Sequence, residues 1–172
     1  MNTKKLAFTA FLLALSFVCQ TFKGISPYIT GPLVNAILVF ATLSLGLYSG
    51  LIIAAVTPLF AFIIGATPIL HMAPIMLPVI MIGNALLVIC THLFAGGKVS
   101  LGIGAGALLK ACFLWLTVSY GIMPGLAGKL SPSMVHTVKL TFSLTQLITA
   151  LIGGYAAYLI WQRIGGYIKK RL

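Results

Sequence analysis

Apolar residues in this chain run together in blocks separated by short clusters of Gly, Pro, Ser and Lys; they do not alternate with polar ones. A membrane helix takes about 20 predominantly apolar residues. Reading the blocks against breakers and charges predicts six such helices. The first covers about 5–22 and ends near Gln20, Lys23 and Gly24. The second covers about 31–48, with Pro32 in its first turn, where a missing N–H costs little. Tyr48-Ser49-Gly50 reads as a tight turn into the third, about 50–65, kinked by Pro58. The fourth, about 75–94, holds Pro78 and Asn84 and closes at Ala95-Gly96-Gly97-Lys98. The fifth runs about 100–120 and the sixth about 138–162, the latter followed by Arg163, Lys169, Lys170 and Arg171. The connections 23–30, 66–74 and 121–137 are longer and richer in Pro and Gly than the two turns at the other end, an asymmetry that points to function in the longer set. Six helices leave no room for a soluble domain, so residues 1–172 are read as a single transmembrane domain.

Composition sharpens this. Of 172 residues 60% are hydrophobic and 6% charged, and mean hydropathy is +1.15. A soluble domain carries about a quarter charged residues, so a soluble globular fold is excluded. Lys and Arg total 11, Asp and Glu 0. Without a carboxylate side chain there is no acid/base carboxylate pair, Ser-His-Asp triad, carboxylate Mg²⁺ site or acidic proton relay. The cations are dispersed through apolar sequence, which argues against nucleic acid and for topology. Lys4, Lys5, Lys98, Arg163, Lys169, Lys170 and Arg171 fall at one end of the predicted bundle and Lys23, Lys129 and Lys139 at the other, so both termini are expected in the cytoplasm. The start resembles a signal peptide, but no A-x-A site follows and Cys19 is preceded by Phe17-Val18, so this stretch is read as the first membrane helix. Cys19, Cys90 and Cys112 lie singly in apolar runs, where buried packing is expected and neither metal nor disulfide is.

Lys110 is the most informative residue. It sits near the centre of the fifth helix, where a charge costs about 2.5–3.5 kcal/mol on insertion scales, and the chain has no Asp or Glu to meet it. Three readings remain: a lysine neutral through desolvation, one facing a water-filled cavity, or one meeting an anion supplied by a ligand or another protein. Lys139, His136 and Lys23 make the outer half of the bundle electropositive, which suits a carboxylate- or phosphate-bearing solute, although headgroup contact explains each alone. Asn84, Asn35, Gln20 and Gln146 are amides in or near the spans; they bond helices together or, for the deeper Asn84 and Gln146, contact a ligand. Trp115, Tyr120 and Tyr28 read as interfacial aromatics or as walls for a ligand, and His71 in the second outer loop as a polar contact. Small residues recur at helical spacing as Ala10/Ala14, Gly102/Gly106 and, loosely, Gly153/Ala157, which lets helices approach closely.

This pattern resembles the substrate-binding S component of energy-coupling-factor (ECF) transporters, the vitamin-uptake systems of bacterial and archaeal cell membranes. The resemblance covers nearly the whole chain: its size, six spans, Lys4-Lys5 leading into Ala10-Phe11-Leu12-Leu13-Ala14-Leu15, the stretch Gly31-Pro32-Leu33-Val34-Asn35-Ala36, and Gly83-Asn84-Ala85-Leu86. It implies capture of a small vitamin-like solute on the outer side, and docking of the A-x-x-x-A face of the first helix onto a transmembrane T component coupled to two cytoplasmic ATPases. Carried onto this chain, Ala10 and Ala14 would be the docking contacts, and Asn84, Lys110, Trp115, Lys139, Gln146 and His71 the substrate-binding candidates. The absence of acidic residues suits an anionic solute, and the chain has no nucleotide motif and no proton-coupling carboxylate of its own. No catalytic residue and no cofactor is expected, since Ser, Cys and His are scattered with no nucleophile–base pair. Two other readings stand: an uncoupled channel or facilitator, which needs a continuous polar track, and a structural subunit whose Lys110 pairs with a partner carboxylate.

Overall fold

Apolar segments fold as helices in hydrocarbon because each backbone N–H and C=O must find its partner within the segment. The computed structural model describes residues 3–22, 26–65, 68–126, 128 and 130–171, with the backbone alone for Pro27, Pro68 and residues 169–171. Among these, eight α-helices follow in order: α1 (Thr3–Thr21), α2 (Pro27–Leu45), α3 (Leu47–Ile63), α4 (Pro68–Met72), α5 (Met76–Leu93), α6 (Val99–Leu116), α7 (Pro132–Thr141) and α8 (Leu144–Arg171). A π-helical turn, Thr117–Ile122, prolongs α6. No β-strand occurs among the described residues. Five helical stretches are long and apolar enough to cross a membrane, and α3 is a shorter apolar helix. Large apolar side chains such as Phe11, Ile63, Leu93 and Leu108 cover the outside of this all-α bundle, as expected where the solvent is lipid.

Several predicted boundaries are corrected. The turn between the second and third helices is not Tyr48-Ser49-Gly50 but Gly46, whose φ of 96° lies in the region that favours glycine. The second helix accordingly starts at Pro27 and ends at Leu45, so Pro32 lies beyond its first turn, and the third starts at Leu47. Gly50 is instead inside α3, where a Cβ would fall 2.8 Å from Val88 Cγ1. The 66–74 connection contains the short helix α4. The predicted sixth helix is two: α7, with Pro132 in its first turn and Ser131 accepting from the Met134 amide at 3.3 Å, and α8, which runs well past 162. The break falls at Phe142-Ser143, where Phe142 turns inward onto a core that includes Leu70, Met76, Leu114 and Val118. Cys112 is exposed on α6 and not buried. Lys23 and Lys129 lie outside the described residues, as do the side chains of Lys169, Lys170 and Arg171.

Close contacts fix the helix directions. Thr9 Oγ1 donates to Ser49 Oγ at 2.9 Å and Thr57 Oγ1 to Ser16 Oγ at 3.3 Å, so α1 and α3 run parallel. Gly102 faces Cys90 and Gly106 faces Leu87, so α5 and α6 are antiparallel. Gly31 faces Thr149 and Gly153 faces Pro32 and Ala36, so α2 and α8 are parallel. The starts of α1, α3 and α6 therefore share one end of the bundle with the ends of α2, α5 and α8. The small-residue pairs Gly102/Gly106 and Gly153/Ala157 serve packing inside the bundle, whereas Ala10 and Ala14 are exposed on the outer side of α1.

Candidate functional site

Gly102, Gly106 and Lys110 stand four residues apart on α6 and so share one face. The glycines let that face close on α5: a Cβ at Gly102 would meet the Cys90 carbonyl oxygen at 2.8 Å, and one at Gly106 the Leu87 backbone at 3.1 Å. One turn farther along, the same closeness brings Lys110 against Asn84. The lysine is 2% exposed. Its Nζ donates to Asn84 Oδ1 at 2.8 Å and to Asn35 Oδ1 at 2.6 Å, tying together α2, α5 and α6.

The two amides are themselves held. Asn35 Nδ2 donates to the Gly31 carbonyl at 2.9 Å and lies 3.5 Å from Thr149 Oγ1 on α8. Asn84 Nδ2 donates to the Ala54 carbonyl at 3.4 Å. That carbonyl is available because Pro58, four residues on, has no N–H to offer it. With both NH₂ groups on backbone oxygens, both amide oxygens are turned to the ammonium.

Lys110, Asn35 and Asn84 border a cavity of about 90 Å³ in the half of the bundle away from the start of α1 and the end of α8. Its polar wall is completed by Thr30 from α2, Thr57 from α3, Gln20 from α1, and Thr141, Thr145, Gln146 and Thr149 from α7 and α8. Apolar lining comes from Ala61, Leu70, Ile80 and Phe142. Gln20 is 4% exposed, and its Oε1 is buried with no hydrogen-bond partner among the described residues. A cavity of this size has room for several waters or a small solute; a dry cavity of about 150 Å³ takes benzene.

No family model, curated protein or solved structure matches this chain. The chemistry of the cavity is therefore the guide to what it holds. It places one amine amid neutral amides and hydroxyls, in a chain with 0 Asp and Glu.

Of the residues picked out from sequence, Lys110, Asn84, Gln146, Asn35 and Gln20 meet at this cavity. Trp115 does not line it; it is part-exposed on α6, edge-on to Tyr120 with ring centres 5.8 Å apart. His71 is exposed on α4 and stacks on Phe62 at 4.5 Å, while its neighbour Leu70 reaches the cavity. Lys139 is half-buried on α7, outside the lining. Asn35, read as a less deep amide, is as close to Lys110 as Asn84 is, and Thr57, Thr30 and Thr149 were not singled out. The residue type at 35 was a visible signal; which face of α2 turns inward was not.

Asn84→Leu should test how far the amides carry the charge. It leaves the ammonium one acceptor short, a loss of about 1.5–3 kcal/mol for a charged hydrogen bond. Thermal unfolding in detergent should shift down by roughly 3–12 °C. An unchanged melting temperature would mean that Asn84 is not an acceptor Lys110 depends on.

Proposed function

We propose that this protein is a membrane-embedded solute-binding subunit of the kind found as S components of ECF transporters, capturing a small, anionic, vitamin-like solute. The observation that carries the reading is Lys110: a buried amine at a cavity wall, in a chain with no acidic side chain. Two amide dipoles solvate such a charge but do not neutralise it, and a bound anion does. α1, α2, α3, α5, α6 and α8 form six crossings on this reading. The ends that carry Lys4, Lys5, Lys98 and Arg163 face the cytoplasm, so the cavity opens toward the outside. A transmembrane partner and two cytoplasmic ATPases supply the energy for uptake.

Mass spectrometry of small molecules that copurify with the detergent-solubilised protein tests capture directly. Recovery of an anionic solute supports the reading, and a cavity that purifies with water alone and binds no small anion counts against it. Ala10 and Ala14 are exposed on α1, which supports docking through that face. Ala10→Trp with Ala14→Trp should abolish uptake in cells while sparing solute binding; persistent uptake would exclude that face.

The facilitator reading keeps one point in its favour. Buried hydroxyls at Ser16, Thr57, Thr9 and Ser49 continue from Gln20 along the α1–α3 seam. They bond to one another, however, which suits helix adhesion better than a conduit. Solute flux through proteoliposomes holding this chain alone would decide for the facilitator.

A further inference from the structure

A second recess lies on the outside of the bundle, a furrow of about 320 Å³ lined by α1, α2 and α8. Phe11 and Leu15 of α1 and Ile160 of α8 are exposed along it, while Ile37 of α2 and Ala157 of α8 are buried beneath. The small side chains of Ala36 and Ala157 leave the space between them open. The lining side chains are hydrocarbon apart from the Cys19 thiol, so water finds little to bond there. On α1 the furrow extends from Phe8 to Cys19, about 16 Å by the rise of an α-helix. One leaflet of hydrocarbon is about 15 Å deep, half of the bilayer core.

One mouth of the furrow is basic. Lys4 and Lys5 stand one helical turn before Phe8, on its side of α1, and Arg163 stands one turn after Ile160 on α8. The start of α1 and the end of α8 share one end of the bundle, so the three cations belong to the same mouth. The chain has 0 Asp and Glu, which leaves this mouth with a net positive charge. Trp161, edge-on to Phe40 of the lining with ring centres 6.2 Å apart, marks the level of an interface, where indoles collect. We propose that the furrow seats one acyl chain of an anionic phospholipid, with its phosphate at Lys4, Lys5 and Arg163. A phosphodiester joined to a hydrocarbon chain answers both the charge and the furrow, whereas an apolar partner helix answers only the furrow. The site is separate from the inner cavity and does not depend on what that cavity captures.

Native mass spectrometry reads the site directly. The protein is released from nanodiscs of equal parts palmitoyl-oleoyl phosphatidylglycerol and the matching zwitterionic phosphatidylcholine, and the lipid retained on it is weighed. Phosphatidylglycerol should be retained over phosphatidylcholine by about tenfold or more, since each basic residue near anionic lipid is worth about fivefold. Lys4→Gln with Lys5→Gln and Arg163→Gln should bring the ratio toward one. Leu15→Trp and, separately, Leu33→Trp put an indole into the furrow from exposed positions. Each should cut retention of phosphatidylglycerol about tenfold with the melting temperature unchanged. Equal retention of the two lipids, or a preference that survives the three glutamines, would overturn the proposal. So would retention that both tryptophan variants leave intact, which would mean that the cations hold a headgroup with no chain seated behind it. A mass of two chains with no lipid would overturn it in favour of a second copy on this face.

Discussion

Lys110→Met should lower affinity for an anionic solute by about a hundredfold while leaving the bundle folded. Truncating one partner of a buried, hydrogen-bonded charge pair costs on the order of 2–5 kcal/mol, and each 1.4 kcal/mol is about tenfold. The fold survives because two effects of the change oppose each other. Asn35 and Asn84 each lose the donor for their Oδ1, which costs about 1–3 kcal/mol per oxygen. Removing an ammonium from mid-membrane returns about 2.5–3.5 kcal/mol. Methionine matches the lysine stem out to Cε and lacks only the terminal nitrogen. The check is binding and thermal unfolding measured on one preparation. Wild-type affinity in a folded variant would take Lys110 out of the binding site and remove the main support for capture of an anion. Loss of affinity together with collapse of the fold would show that the amine holds the helices together.

Gly153→Ala should be the most damaging small substitution in the chain. A Cβ there would run into the Pro32 carbonyl oxygen and stand 2.9 Å from the Ala36 nitrogen. These are backbone atoms of α2 and cannot rotate away as a side chain can. Overpacking a core typically costs about 1–3 kcal/mol, and a clash with backbone belongs at the top of that range or above it. α8 must move off α2, and Thr149 and Gln146 move with it, away from Asn35. Both stability and solute binding should fall. Gly166→Ala, on the same helix with nothing within 4 Å of the new Cβ, is the control; it should be neutral, or stabilising by about 1 kcal/mol through helix propensity. Equal unfolding temperatures for the two variants would show that α2 and α8 do not cross as closely as described.

Much of the protein was legible without coordinates, and the reason is the solvent. Hydrocarbon forbids unpaired backbone groups, so block length alone reports helices, and 60% hydrophobic with no Asp or Glu alone reports a membrane protein without carboxylate chemistry. Lys110 stood out for the same reason, since a charge at that depth needs an explanation. Periodicity was the weaker guide: in helices apolar nearly all round, it does not mark the inward face. Asn35 and Asn84 were visible as amides, but only the packing of α2, α5 and α6 turned both oxygens onto one nitrogen. Pro58 was visible as a kink, but only the antiparallel contact of α3 with α5 put the carbonyl it frees beside Asn84. Trp115 and Lys139 were reasonable by depth and fell outside the cavity by rotation about their helices. Sequence alone determined the material, the helical segments and the lone amine. The tertiary structure decided which polar groups share a cavity and which of them bond one another, because hydrogen bonding depends on separation to within a few tenths of an ångström, and burial in lipid does not.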